Sequence, residues 1–178
     1  SIGIVRVYSC KLQKPIKTFN LPDNEQTYLT QQISREITAI DISSDGSYLV
    51  SGYSNGCIAL WFVDACTLVH FIKDVHEYGI VAIKILSSFP KKKWTVLSSD
   101  RDGNVVKITI EKKLFGIKVD HVSIYHKPQI TYIIEILKPF KDENFVLAAL
   151  GNYDVVKLYL LEPNVQASCE FKRPENVA

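Results

Sequence analysis

The chain has 178 residues, of which 47% are apolar and 22% are charged, and its formal net charge is +2 at pH 7. This balance excludes a largely disordered chain, and the length allows a substantial buried core. The small net charge does not by itself indicate a nucleic-acid or membrane partner. No segment has the roughly 20 consecutive apolar residues that span a bilayer, and no signal peptide opens the chain, so a cytoplasmic location is expected.

The elements predicted along the chain are short β-strands separated by turn residues. Residues 1–19 fit the last two strands of one unit, a half blade, because residues 3–8 can be laid over residues 56–61. The polar stretch 20–36 is predicted to be a connection. Three successive four-stranded units are predicted at residues 37–72, 80–125 and 129–171. Strands of the first are predicted at residues 37–42, 48–53, 57–62 and 67–72.

One pattern, in which apolar residues lead through two small residues into a polar turn, occurs three times. The copies lie at residues 49–56, 96–103 and 146–153, and each is followed by a run typical of the next strand of a hairpin. Successive copies are roughly 50 residues apart, a period typical of propeller blades. The small pairs are predicted to lie where neighbouring sheets converge; they are Ser51-Gly52, Ser98-Ser99 and Ala148-Ala149.

These features together predict an all-β fold. The architecture expected is an incomplete β-propeller of about three and a half blades, each of four antiparallel strands, in which residues 1–178 are part of one domain. The absence of methionine and an opening that resembles mid-strand sequence predict a piece of a longer chain. The aromatic residues of the predicted strands are expected to pack in the core; they are Tyr8, Phe19, Tyr48, Tyr53, Trp61, Phe62, Phe71, Trp94 and Phe115.

Residues 37–61 resemble a WD repeat, with Asn55-Gly56 at the turn and Trp61 at the end of the third strand. In that family a turn Asp or Asn, a His before the first strand and this Trp form a hydrogen-bonded network within a blade. The resemblance assigns Asn55 and Trp61 to the network of the first blade. It assigns His76 and Asp102 to that of the second, where Ile108 replaces the Trp. The structural repeat positions are therefore Gly52, Asn55, Gly56, Trp61, His76, Asp102 and Gly103.

The order of residues 51–61, 74–79 and 98–105 is similar to that in the family of vacuolar protein sorting-associated protein 8. This resemblance implies the amino-terminal propeller of an endosome-specific CORVET subunit, a non-enzymatic scaffold in endosomal vesicle tethering and vacuolar or lysosomal protein transport. The implied partners are an early-endosomal Rab GTPase and other tethering-complex subunits, and the implied location is cytoplasmic and peripheral on endosome membranes through those partners. The alternative is a WD-repeat adaptor of a ubiquitin-ligase or signalling pathway.

No catalytic, cofactor-binding or metal-binding residue is predicted. The four histidines lack the spacing that places two imidazoles on one helical face, and residues 100–103 lack the further oxygen ligands of a calcium loop. His76, Asp100 and Asp102 are expected to have separate structural roles, whereas their convergence in one concave pocket would favour an enzyme. Lys91-Lys92-Lys93 is interpreted as a solvated loop. The cysteines are interpreted as reduced, small apolar residues: Cys10, Cys57, Cys66 and Cys169.

Overall fold

The computed structural model describes residues 4–25, 36–86, 93–126, 132–137, 147–151, 155–160 and 166–172, with side-chain surroundings up to residue 122. Within these ranges one helical turn lies at residues 23–25 and the rest of the regular structure is β. The strands are β1 Val5–Ser9, β2 Lys14–Phe19, β3 Ile37–Ile42, β4 Tyr48–Tyr53, β5 Ile58–Phe62, β6 Thr67–Ile72, β7 Ile80–Leu86, β8 Lys93–Asp100, β9 Asn104–Lys113, β10 Gly116–His126, β11 Tyr132–Leu137, β12 Leu147–Gly151, β13 Val155–Leu160 and β14 Gln166–Lys172.

The described strands form four antiparallel sheets, each built from strands that follow one another in sequence. A two-stranded sheet contains β1 and β2, and three four-stranded sheets have the orders β3-β4-β5-β6, β10-β9-β8-β7 and β11-β12-β13-β14. The predicted all-β fold is confirmed. The four strands predicted between residues 37 and 72 are found within one residue, since only β5 begins later, at Ile58. The loops predicted at 88–93 and 139–144 and the turn at 152–153 lie outside the described residues, with the exception of Lys93. Lys93 is the first residue of β8, so its assignment to a solvated loop is wrong.

Buried side chains fill the spaces between successive sheets, because neighbouring residues of each strand point to opposite faces. Leu49 and Tyr53 of β4 join a cluster with Phe19 of β2, and Phe19 meets the Trp61 ring edge-on with centroids 5.8 Å apart. Val50, on the other face of β4, joins a second cluster with apolar residues of β7, β8 and β9. The sheet β3–β6 is therefore buried on both faces, as a blade between two neighbours.

Two aromatic residues do not follow the prediction of core packing. Tyr8 is 58% exposed and Phe115 is 100% exposed. Tyr8 lies on a strand that pairs only with β2 among the described residues, and Phe115 lies in the turn between β9 and β10. Residence in or beside a strand therefore did not determine burial at these positions.

The small pair of the first blade lies at a close approach between sheets. A Cβ atom on Gly52 would be 2.7 Å from Ile80 Cγ2 and 3.0 Å from Ile80 Cβ. Real side chains do not make such contacts, so β4 and β7 can approach this closely only because residue 52 is glycine. This finding supports the prediction that the small residues lie where neighbouring sheets converge.

A carboxylate also joins the first strands of these two sheets. Asp41 of β3 accepts a hydrogen bond from the backbone N–H of Ile85 at 2.9 Å, and its other oxygen lies 3.4 Å from Lys84 Nζ. β7 is the edge strand of its sheet, so this N–H points away from the ladder with β8. The inner edge of the second blade is thereby fastened to the first.

Candidate functional site

A buried chain of hydrogen bonds links the loop before β7 to strand β8. Nδ1 of His76 lies 3.0 Å from Asp100 Oδ2, and Nε2 lies 2.7 Å from Ser98 Oγ. The side chains of His76 and Asp100 are both fully buried. Because the carboxylate of Asp100 accepts, the arrangement gives His76 a proton on Nδ1 and leaves Nε2 to accept from the Ser98 hydroxyl.

Asp100 also closes the turn between β8 and β9. Its Oδ1 accepts hydrogen bonds from the backbone N–H groups of Asp102 at 3.0 Å and Asn104 at 2.9 Å, and its Oδ2 accepts from Asn104 Nδ2 at 2.8 Å. The family resemblance gave Asp102 as the carboxylate of this network. The structure instead pairs His76 with Asp100, because Asp100 ends the strand on the face that carries Ser98, whereas Asp102 lies in the turn.

The first blade has its own buried network, which contains a different part of the WD-repeat pattern. Trp61 Nε1 donates to Ser51 Oγ at 3.0 Å, and the Ser51 hydroxyl lies 3.5 Å from the Tyr53 hydroxyl, all within the core. Asn55, which the resemblance grouped with Trp61, has a local role instead, since its Oδ1 accepts from the Cys57 N–H at 3.3 Å. Burial raises the pKa of Tyr53 to about 12, so its phenol stays neutral and hydrogen-bonded at physiological pH.

Burial is also the main influence on His76. It lowers the pKa of the imidazole from 6.5, against the hydrogen bond and charge of Asp100, which raise it, while the nearby His121 lowers it further. Removal of the imidazolium from water outweighs its attraction to one carboxylate. His76 is therefore neutral at pH 7 and acts as a relay of hydrogen bonds between strand and loop.

The loop that carries His76 is held against the turn of the preceding blade. A Cβ atom on Gly56 would overlap the His76 carbonyl oxygen and lie 2.8 Å from its carbonyl carbon, and Gly56 has a φ of +84°. A Cβ atom on Gly79 would lie 2.7 Å from the carbonyl oxygen of Ser54. Gly103, at the matching turn of the second blade, has a φ of +87°. The turn glycines thus have a positive backbone angle in common, and Gly56 adds a backbone contact between blades.

A cleft of about 380 Å³ opens beside this network. Its walls come from the loop before β7, the end of β8, the β8–β9 turn, the start of β9 and β10. The lining residues are Val75, His76, Glu77, Tyr78, Asp100, Asp102, Asn104, Val106 and His121. The expectation that His76, Asp100 and Asp102 have separate structural roles is therefore wrong for His76 and Asp100, which share one hydrogen-bond network, and all three residues border one cleft. They converge because the loop before β7 folds over the turn that Asp100 closes.

The order Ser98–His76–Asp100 has the connectivity of a Ser-His-Asp catalytic triad, but its position does not suit catalysis. Ser98 is 0% exposed in the middle of the sheet and does not line the cleft. A nucleophilic hydroxyl must reach a substrate carbonyl with hydrogen-bond donors beside it. Asp100 already accepts four hydrogen bonds from protein groups. The geometry therefore supports a network that fixes a loop on a sheet.

Within the described residues, no group of three or more His, Cys, Asp or Glu side chains is arranged to hold a metal ion. Across the same part of the chain, no helix has the length and apolar character needed to cross a membrane.

The sequence reasoning missed Ser51, Tyr53, Ser98 and Asp100 as members of the two networks. A usable signal was present, because Ser51 and Ser98 occupy the same place in the repeated pattern, and Tyr53 and Asp100 each follow two residues later. Residues i and i+2 of a strand share a face. The repeat therefore places a serine and a second polar group on one face of β4 and again of β8.

Comparison with known proteins agrees with this architecture. The crystal structure of the Myceliophteria thermophila Cps50 (Swd1) beta-propeller domain matches with a TM-score of 0.59 and 12% sequence identity, covering 92% of this chain and 52% of that one. The chain thus spans about half the length of that propeller, and the likeness concerns the fold alone. No curated protein matches the sequence. The family model described as Vps8 beta-propeller matches residues 2–177. The chain therefore belongs to the Vps8 beta-propeller family.

Proposed function

We propose that this propeller is a non-enzymatic scaffold in endosomal vesicle tethering, where it binds an early-endosomal Rab GTPase and other subunits of a CORVET-type tethering complex. The single observation that carries the proposal is the family match over residues 2–177. A role in vacuolar or lysosomal protein transport and a peripheral position on endosome membranes follow from it. Residues 1–178 then act together as one segment of a propeller domain.

The cleft beside His76 is the surface that we assign to the protein partner. Tyr78 stands at its wall with 48% of its surface exposed, and Glu77 and Asp102 supply negative charge nearby. A partly exposed tyrosine in a polar rim is a common energetic centre of protein interfaces. The fixed loop supports this use, because the His76 hydrogen bonds hold the backbone of the neighbouring Tyr78 in place before binding.

The buried network supports a scaffold over an enzyme. His76 and Asp100 border the cleft, but the hydroxyl they would activate faces the interior of the sheet. The repeat positions Gly52, Asn55, Gly56, Trp61, His76, Asp102 and Gly103 are proposed to shape the blades and their turns.

Binding to the GTP-loaded and GDP-loaded forms of an early-endosomal Rab tests the partner assignment. The intact protein is expected to bind the GTP-loaded form more tightly. Tyr78→Ala should weaken that binding by about 30-fold, the loss typical of an interface centre. Tyr8→Ala is the matched control, because Tyr8 is similarly exposed but lies on β1, away from the cleft.

Equal binding of both nucleotide states, or no binding, would remove the Rab part of the proposal. An equal loss in Tyr78→Ala and Tyr8→Ala would remove the cleft as the contact surface. A vesicle-clustering assay with the assembled complex tests the tethering role itself. Co-purification with ubiquitin-ligase or signalling subunits in place of tethering subunits would favour the WD-repeat adaptor.

A further inference from the structure

The hairpin of β9 and β10 extends beyond the sheet that carries it. Pairing between β8 and β9 ends at Lys93 and Glu111, whereas pairing between β9 and β10 continues to Lys113 and Gly116. Two residue pairs therefore project past β8, about 7 Å at roughly 3.4 Å per residue. The hairpin forms a finger at one end of the blade.

The tip of this finger is apolar and bare. Leu114 is 94% exposed and Phe115 is 100% exposed, the two highest values among the large apolar residues that the structure describes. Ile117 and Val119, on the same hairpin, pack against the core between the blades. Two adjacent large apolar side chains left in water are unfavourable, and such patches are typical of interaction sites.

Basic residues surround the tip. Lys112 and Lys113 precede Leu114, and Lys118 follows on β10. Lys113 pairs with Glu111, and Lys118 pairs with Asp120. Together with Lys93, which lies opposite Glu111 on β8, the finger carries more positive than negative charge. An apolar tip with a collar of lysines is complementary to an interface between anionic headgroups and acyl chains.

We propose that the β9–β10 finger inserts Leu114 and Phe115 into the surface of an anionic membrane. The tip is convex, which suits a deformable lipid surface, whereas a protein partner would need a pocket of matching shape. The ladder between Lys113 and Gly116 satisfies the backbone at the base of the tip. The finger can therefore enter the headgroup region with few unpaired backbone groups.

The finger and the cleft lie at opposite ends of β9. Asn104 borders the cleft at the start of the strand, and Lys113 lies at its other end, roughly 30 Å away at about 3.4 Å per residue. Leu114 and Phe115 do not line the cleft. The membrane contact is thus independent of the Rab proposal, and either can fail alone.

Vesicle co-flotation of the intact protein tests the inference with vesicles of phosphatidylcholine alone or mixed with phosphatidylserine. Binding to the mixed vesicles is expected and should weaken as salt is added. The double variant Leu114→Ser, Phe115→Ser should reduce binding by a factor on the order of 10 to 100, and Lys112→Ser by about fivefold. Val122→Ser is the matched control, because Val122 is 53% exposed but lies in the second half of β10, away from the tip.

A second readout follows the tip directly. In Phe115→Trp, the emission of the added tryptophan is obtained by subtracting the wild-type spectrum. This emission should shift to shorter wavelength when phosphatidylserine vesicles are added. Equal flotation of wild-type and double-variant protein, absence of vesicle binding by the wild-type protein, or an unchanged Phe115→Trp emission would each overturn the inference. Loss of a protein partner in the double variant without any vesicle binding would do so as well, in favour of a protein contact.

Discussion

Replacement of Gly56 by alanine is the most informative test of how the blades are joined. The new Cβ would overlap the His76 carbonyl oxygen and lie 2.8 Å from its carbonyl carbon, at a φ of +84°. An alanine held at this backbone angle lowers the free energy of unfolding by about 1 to 2 kcal/mol, even without the contact. To reach an ordinary contact, the loop must also move by about 1 Å, which breaks or weakens the buried hydrogen bonds of His76 at about 1 to 3 kcal/mol each.

Gly46→Ala separates these two contributions. Gly46 has a φ of +72°, but nothing lies within 4 Å of the place that a Cβ atom would occupy, so alanine there has only the backbone cost. The free energy of unfolding, measured by urea denaturation, is expected to fall by about 1 to 2 kcal/mol in Gly46→Ala and by about 3 to 5 kcal/mol in Gly56→Ala.

A double-mutant cycle with His76→Ala gives the decisive result. If Gly56→Ala lowers the free energy of unfolding by disturbing the His76 hydrogen bonds, the double variant should lose less free energy of unfolding than the sum of the two single-variant losses. Equal losses in Gly46→Ala and Gly56→Ala, or strict additivity with His76→Ala, would refute the proposed connection between the turn of one blade and the buried network of the next.

Other measurements test the buried groups individually. Trp61→Ala should lower the free energy of unfolding by about 3 to 5 kcal/mol, because the ring is fully buried and donates to Ser51; a loss below about 1 kcal/mol in urea denaturation would contradict this. The lowered pKa of His76 means that the unfolded state binds the proton first, so stability is complete above pH 6.5 and declines as the pH falls below it. Urea denaturation across that range should show the slope in the wild-type protein and a smaller one in His76→Gln; identical slopes would exclude His76 as the cause. In a spectrophotometric titration, the wild-type protein should show one tyrosinate signal that appears only at high pH, with a pKa of about 12, and Tyr53→Phe should lack that signal. An unchanged titration curve would contradict the assignment.

Much of the β architecture could be predicted because it depends on local patterns. Asn55-Gly56 identifies a turn because these residues tolerate a positive φ, and the alternation in β4 places Val50 and Tyr53 on opposite faces. The strand limits of the first blade followed from such signals. The small residue at position 52 could be explained in advance by the convergence of sheets, and the structure supplies its neighbour, Ile80.

Which residues pair within the network could not be predicted, because the pairing depends on contacts between segments that are distant in sequence. The sequence offers His76 two candidate aspartates, Asp100 and Asp102, and composition does not say which one ends the strand and enters the core. The same limit applies to the aromatic residues. Trp61 is enclosed by the neighbouring Phe19, whereas Phe115 lies beyond the last paired residues of a hairpin and is fully exposed.

The carboxylate of Asp41 has a consequence for the behaviour of the protein in crowded solution. An edge strand such as β7 carries outward N–H groups that can recruit a strand from another molecule and begin aggregation. Asp41 already occupies the Ile85 N–H, and its other oxygen pairs with the Lys84 ammonium beside it. A single acidic side chain thus closes one of the backbone donors through which β7 could pair with a strand of another molecule.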